Sequence, residues 1–216
     1  ITDEECVLPG GHGCKDFVML LDSRQEHGGR AVAIFAPFWI VNRAGVPLVF
    51  RHTGDPLATG QQNPEALCDQ ALIFSSSRTA QAALAGSTAW SSAFPLQNVG
   101  SVGVIDVPNG RGELALGFSV ALASGAYRRT KVVTVTPRHI VLNHMKRPIV
   151  VAQLGSEDSS LSVPAGGQAV WHWVSGKGEK KLRVRLDGDG QDFTAGLPLD
   201  SALDAAMFLR KQGGGM

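Results

Sequence analysis

The sequence holds little of what usually places a protein at once. Three cysteines, one tyrosine and four tryptophans are spread over 216 residues, and aromatic residues total only 6%. Cys6, Cys14 and Cys68 are odd in number and form no C-x-x-C, so reduced thiols in a cytosolic protein are expected rather than a disulfide framework. Charged residues are 18% and the net charge is +1, so no global field recruits nucleic acid or an acidic membrane surface. No apolar run approaches the roughly 20 residues that a bilayer-spanning helix needs. The chain begins at Ile1 with no charged-then-apolar leader and stops at "KQGGGM", and it reads as a piece of something longer.

Catalytic signatures are also missing. There is no G-x-S-x-G, no P-loop and no H-E-x-x-H. The six histidines are scattered, and His172 stands between Trp171 and Trp173, an alternation that turns it to solvent if the tryptophans face a core. His12 beside Cys14 in "GGHGCKD" lacks the second ligand pair of a zinc site. "DGDGQD", Asp187 to Asp192, starts like a calcium loop, but Gln191 and Asp192 break the pattern and a β-turn is expected. No catalytic residue, metal or cofactor is therefore expected.

Glycine and proline are plentiful, at 26 and 11 residues, and they bound short runs rich in Val, Ile, Phe and Trp. "RAVAIFAPFWIVN", "VPLVFRH", "GELALGFSVALA", "TKVVTVTPRHIVLN", "RPIVVAQL", "QAVWHWV" and "KKLRVRL" all read as strands. "GFSVALASGAYRRTKVVTV" reads as two strands with a turn near Ser124-Gly125. Many short strands at this density predict an all-β fold of sandwich type with little helix. Helix signals are confined to "NPEALCDQAL", "DSALDAAMFLRKQGG" and, by propensity alone, "QAALAG".

The chain also repeats itself. "PFWIVNRAGVPLVF" from Pro37 and "PRHIVLNHMKRPIVV" from Pro137 share a proline, an apolar run, an asparagine and a further proline. Asn42 and Asn143, like Pro47 and Pro148, are 101 residues apart, and "WSSAFPL" (Trp90 to Leu96) meets "FTAGLPL" (Phe193 to Leu199) at 103. Phe17 in "FVMLLDS" and Phe118 in "FSVALAS" are again 101 apart. Ordered landmarks predict two β-modules of roughly a hundred residues, each the size of one β-sandwich. The expected division is residues 1–29 as the end of a preceding module, 30–127 as the first and 128–216 as the second, running into a following one. An asparagine at a strand end carries both a donor and an acceptor, so Asn42 and Asn143 are expected to bond backbone groups that the bend leaves unpaired. The proline that follows lacks a backbone donor and belongs at a strand start or edge.

Taken together, "FAPFWIVNRAGVPLVFR", "WSSAFPL", "VGSVGVIDV", "GELALGFSVALASGAYRRTKVVTVTPRHIVLN" and "VPAGGQAVWHWV" resemble the adaptor-binding region, also called the SHR-binding domain, of the vacuolar protein sorting-associated protein thirteen family. The resemblance runs from about residue 17 to 200. It implies one part of a string of β-rich modules in a very long, bridge-like lipid transporter. Asn42 and Asn143 match the hallmark asparagine of those modules. The implied function is non-enzymatic: docking short proline-containing motifs of organelle-specific adaptors, which directs the protein to organelle membranes and contact sites. Localisation would be cytoplasmic and peripheral, with membrane association only through adaptors. The sequence departs from the family pattern at "FTAGLPL", where a tryptophan-serine pair is typical, and at the alanine-rich "TAQAALAG", where the family implies a strand. The C-terminal "LDAAMFLRKQ" would open a further module as a strand. The alternatives are spacer repeats without a docking site, or a peripheral phospholipid-binding sandwich using a basic patch of Arg128, Arg129 and Lys131.

Overall fold

The structure, a computed structural model, describes residues 4–8, 17–54, 60–62, 72–74, 78–110, 112–174, 178–188 and 192–199. The two capped helices expected around 63–72 and 200–213 lie outside the described residues but for Leu72, which is strand, as do Cys14, Cys68 and the middle of "DGDGQD". Among the described residues there is no α-helix and there are eighteen short strands. The chain is all-β. In order they are β1 (Glu4–Leu8), β2 (Phe17–Glu26), β3 (Gly29–Phe35), β4 (Phe38–Asn42), β5 (Leu48–His52), β6 (Gly60–Gln62), β7 (Leu72–Phe74), β8 (Thr79–Leu84) and β9 (Phe94–Pro95). Then follow β10 (Val102–Asn109), β11 (Gly112–Leu122), β12 (Lys131–Pro137), β13 (His139–Leu142), β14 (Ile149–Gln153), β15 (Leu161–Val163), β16 (Gln168–Trp171), β17 (Lys181–Leu186) and β18 (Leu197–Pro198). A 3-10 turn, Gly125–Tyr127, joins β11 to β12 where the sequence placed a turn.

The chain divides into two compact units, Ile1–Pro108 with Leu116–Thr136, and Asn109–Ala115 with Pro137–Met216. The first unit holds the sheets β1-β2-β3 and β6-β5-β8-β9 and, apart from Asn109 and Gly112–Ala115, the sheet β10-β11-β12-β4-β7. The second holds β13-β16 and β15-β14-β17-β18. Strand for strand, the order β6-β5-β8-β9 recurs as β15-β14-β17-β18, and the pairing of β4 with β7 recurs as β13 with β16.

Alternation builds both cores. On β4, Phe38, Ile40 and Asn42 turn inward, and Ile40 is fully buried with Leu48 and Phe50 of β5. On β17, Leu182, Val184 and Leu186 are buried while Lys181, Arg183 and Arg185 alternate with them, as expected for "KLRVRL". In the second unit, Trp171 of β16 shares one core with Trp173, with Ile149 and Val151 of β14 and with Val163 of β15. In the first, Phe94 of β9 meets Phe118 of β11 with ring centroids 5.6 Å apart. The alanine-rich "TAQAAL" is strand β8, where Ala80, Ala82 and Ala83 are fully buried. Helix propensity yields there because the backbone of β8 pairs with both β5 and β9.

Candidate functional site

Two hydrogen-bonded frames recur in both units, and the asparagine frame is the more local. Asn42 closes β4, its side-chain Oδ1 accepts from Ala44 N–H at 2.9 Å, and its Nδ2 donates to Val46 C=O at 2.8 Å. Asn143 follows β13 and repeats both bonds, with Met145 N–H at 3.0 Å and Arg147 C=O at 2.9 Å. Its Nδ2 also lies 3.1 and 2.9 Å from the carbonyls of Val163 and Pro164. Both asparagines are buried, at 4% and 2% exposure, so these bonds satisfy groups that water cannot reach. The bend is not held by one backbone conformation. Gly45 has a φ of 77°, whereas Lys146, its counterpart, is not among the residues with positive φ. Pro47 and Pro148 come immediately before β5 and β14, and their carbonyls accept from Ala85 and Asp187 N–H.

The second frame lies at "WSSAFPL" and "FTAGLPL". Ser91 N–H donates to Ala82 C=O at 2.8 Å, and Ala82 N–H donates to Ser91 Oγ at 3.0 Å. Thr194 and Val184 exchange the same pair, at 2.9 and 3.0 Å. Thr194 thus fills the serine's place, and Phe193 that of Trp90. Arg51 lies over the Trp90 ring at 4.2 Å, while Arg183 and Arg185 lie 5.6 and 5.3 Å from the Phe193 ring. The recurrence of the two quoted motifs was the signal for this frame, although its hydroxyls were not singled out.

The basic trio is not one exposed patch. Arg128 is exposed after the 3-10 turn, but Arg129 forms an ion pair with Asp22 and lies 5.0 Å from the Phe35 ring. Lys131 lies 5.5 Å from the Phe38 ring. Arg128 and Arg129 instead join Asp22, Arg24 and Glu26 around a pocket of about 370 Å³. Asp22 is only 2% exposed and also accepts from Arg24 Nε at 2.7 Å. Sequence reading missed Asp22, whose counterpart at 101 residues is Ala123.

In the second unit, Arg183 Nη1 donates to Glu157 at 2.6 Å. That hydrogen bond, followed by those from the backbone N–H groups of Glu157 and Gly155, holds the Glu157 carboxyl below its ordinary range. His172 is half-buried between the buried Trp171 and Trp173, rather than fully turned to solvent. Cys6 is a free thiol. Among the described residues, no helix is long and apolar enough to cross a membrane.

A family model described as vacuolar-sorting associated protein 13, adaptor binding domain, matches residues 18–214. Among curated relatives, the intermembrane lipid transfer protein VPS13 of Chaetomium thermophilum is 25% identical over 185 residues, which are 78% of this chain and 6% of the relative. Intermembrane lipid transfer protein VPS13C of Mus musculus is 28% identical over 151 residues, 67% of this chain and 4% of its own. VPS13D of Homo sapiens is 25% identical over 188 residues, 75% of this chain and 4% of its own. The chain spans a small fraction of the length of each of these.

Proposed function

The chain belongs to the vacuolar-sorting associated protein 13 adaptor binding domain family, and from that premise we propose that it is a non-enzymatic targeting module of a lipid transfer protein. It docks short proline-containing segments of organelle-specific adaptor proteins. Docking directs the longer protein to organelle membranes and contact sites, from the cytoplasmic side and through the adaptor rather than through lipid. The observation that carries this reading is the family match over residues 18–214. Strand addition at a sheet edge is the mode that suits an all-β chain, with backbone hydrogen bonds supplying affinity and side-chain pockets supplying choice. In this reading Asn42 and Asn143 are associated with adaptor binding as the residues that shape each module, since their amides hold a bend near the start of each proposed module. Module boundaries at 29/30 and 127/128 belong to the proposal and are supported by the 101-residue offset.

Titration of proline-containing adaptor peptides against the purified chain tests the reading. Saturable binding is expected, and its absence both here and in the full array of modules would overturn it.

One observation favours a second reading. The asparagine amides are engaged by their own loops, which is what repeats that merely hold a docking module at a set distance require. Removing this stretch while keeping the other modules separates the two readings, because recruitment by the adaptor then persists only for a spacer. Direct phospholipid binding has less support, because Arg129 is held by buried Asp22. Flotation with anionic vesicles at low salt, with and without calcium, is the corresponding measurement.

A further inference from the structure

The pocket beside Asp22 is charged in a way that its strands do not require. β2 and β3 pair Asp22 with Ala33 and Arg24 with Ala31, so these residues share one face of the hairpin. Arg128 and Arg129, which follow the 3-10 turn, meet that face from a stretch distant in sequence. The whole lining belongs to the first unit. At the 101-residue offset, the counterparts of Asp22, Arg24 and Glu26 are Ala123, Gly125 and Tyr127. The corresponding hairpin, β11 with β12, is therefore built without these charges. Within the pocket the charges divide in two. Buried Asp22 takes Arg24 Nε and Arg129 on one carboxylate oxygen and so fixes both guanidinium groups. The exposed side chains of Arg128 and Glu26 have no hydrogen bond or ion pair among the described residues, and neither Nη of Arg24 is engaged there. Three arginines against two carboxylates leave one positive charge around about 370 Å³. The rest of the wall is alanine, valine and glycine, short enough to leave the guanidinium groups within reach.

We propose that this pocket takes an aspartate or glutamate side chain of the adaptor segment, its carboxylate held by Arg24 and Arg128. The inference rests on the adaptor-docking reading and adds a charge requirement to it. Guanidinium groups meet a carboxylate through paired N–H donors in a planar fork. Asp22 is a positioning residue, because its own charge is spent in aiming Arg24 and Arg129. One carboxylate brings the net charge of the pocket to zero, whereas a phosphomonoester with about two negative charges overshoots it. A peptide segment also brings backbone N–H donors for the Glu26 carboxylate, which has no partner among the described residues.

Arginine Nε–H signals in nuclear magnetic resonance follow the site directly. Aspartate capped by N-acetyl and C-methylamide groups should shift those of Arg24 and Arg128 saturably, and more than the capped asparagine or phosphoserine. Proline-containing adaptor peptides should lose about tenfold in affinity when their Asp and Glu become Asn and Gln. Arg24→Gln with Arg128→Gln, two exposed positions, should cause the same loss and remove the difference between acidic and amide peptides. The difference should also shrink as salt rises. Asp22→Asn, where its circular dichroism matches the parent, should weaken the acidic peptides alone. Equal binding of acidic and amide peptides, or tight binding by a peptide without acidic residues, would overturn the inference and leave adaptor docking standing. Larger shifts from capped phosphoserine would overturn it too. So would an acid preference present in this chain and absent from the full array, since the longer protein would then fill the pocket itself. If no proline-containing peptide binds here or in the full array, the docking reading fails and this inference with it.

Discussion

At the middle of β8 the first unit has Gln81, and at the equivalent point of β17 the second has Arg183. Gln81 donates to Ser91 C=O at 2.8 Å and accepts from Arg51 Nε at 3.0 Å. Arg183 donates to Thr194 C=O at 2.7 Å and to Phe193 C=O at 3.1 Å, and reaches Glu157 as well. In both units a guanidinium lies near the aromatic ring at position 90 or 193, but it comes from β5 in one and from β17 in the other. The buried exchange between a hydroxyl residue and the strand is the same in each, at Ser91 and at Thr194. The outer shell of this frame therefore varies freely, and the inner hydrogen bonds do not. Losing a partner costs a buried polar group about 1–3 kcal/mol, whereas solvent can replace a partner at the rim.

The cores separate the units most sharply. Trp171 is 2% exposed in the second unit, and Phe50 is fully buried in the first. Trp171→Ala and Phe50→Ala should each remove about 3–5 kcal/mol from the unit concerned. Calorimetry should show the lower transition moving with the mutated unit while the other keeps its midpoint. A single transition shifted equally by both would show that the units melt as one. Trp171→Phe should cost less than Trp171→Ala, because the remaining phenyl ring leaves a smaller cavity in the core.

The asparagines rank next. Asn42→Ser and Asn143→Ser each shorten a buried side chain away from at least one carbonyl and one N–H of the loop that follows it. Each is expected to lower the stability of its own unit by roughly 1–3 kcal/mol. Urea unfolding monitored for each unit measures this, and unchanged midpoints in both would show that the loops do not depend on the amides.

What the sequence made legible follows from distance along the chain. The asparagine bonds reach two and four residues onward, so the residue type and the tight return between strands already point to them. Strands such as β4, β5 and β17 show their alternation directly. By contrast, Asp22 is buried because Arg129, 107 residues later, arrives beside it, and no local pattern signals that pairing. The same distance hides why "TAQAAL" is a strand. Its small side chains suit close packing against β5 and β9, which propensity does not register. Two of the three residues read as one basic patch, Arg129 and Lys131, are placed beside separate rings by strands remote in sequence, Phe35 on β3 and Phe38 on β4.

The hydroxyl frame offers a smaller effect and a direct exchange between units. Ser91→Ala and Thr194→Val each leave one buried strand N–H without its acceptor, a loss of about 1 kcal/mol. Ser91→Thr and Thr194→Ser keep the acceptor and should shift the midpoint much less. If the exchanged pair proves as costly as the deletions, shape rather than hydrogen bonding sets the frame.

The smallest expected effect is specific to the second unit and turns on pH. The Glu157 carboxyl sits below its ordinary value of 4.5, chiefly through the Arg183 hydrogen bond. A carboxyl depressed in the folded state favours folding in full above that ordinary value, and the contribution disappears as pH falls through the lower folded value. Glu157 is exposed enough that solvent screens most of the pair, so the shift in melting temperature should be slight. Gln81 occupies the Arg183 position in the first unit and carries no charge, so that frame has no such response. Melting the second unit from about pH 7 to about pH 3 should show an acid-side decline that is shallower in Arg183→Gln and in Glu157→Gln. The same two substitutions at neutral pH should leave the Thr194 exchange with Val184 intact, because that exchange uses only the threonine hydroxyl and the strand backbone. An acid-side slope as steep in Arg183→Gln as in the parent would show that other carboxylates, not this pair, set the acid response. A large loss at neutral pH in Arg183→Gln would instead show that the guanidinium holds the frame that Gln81 holds without charge.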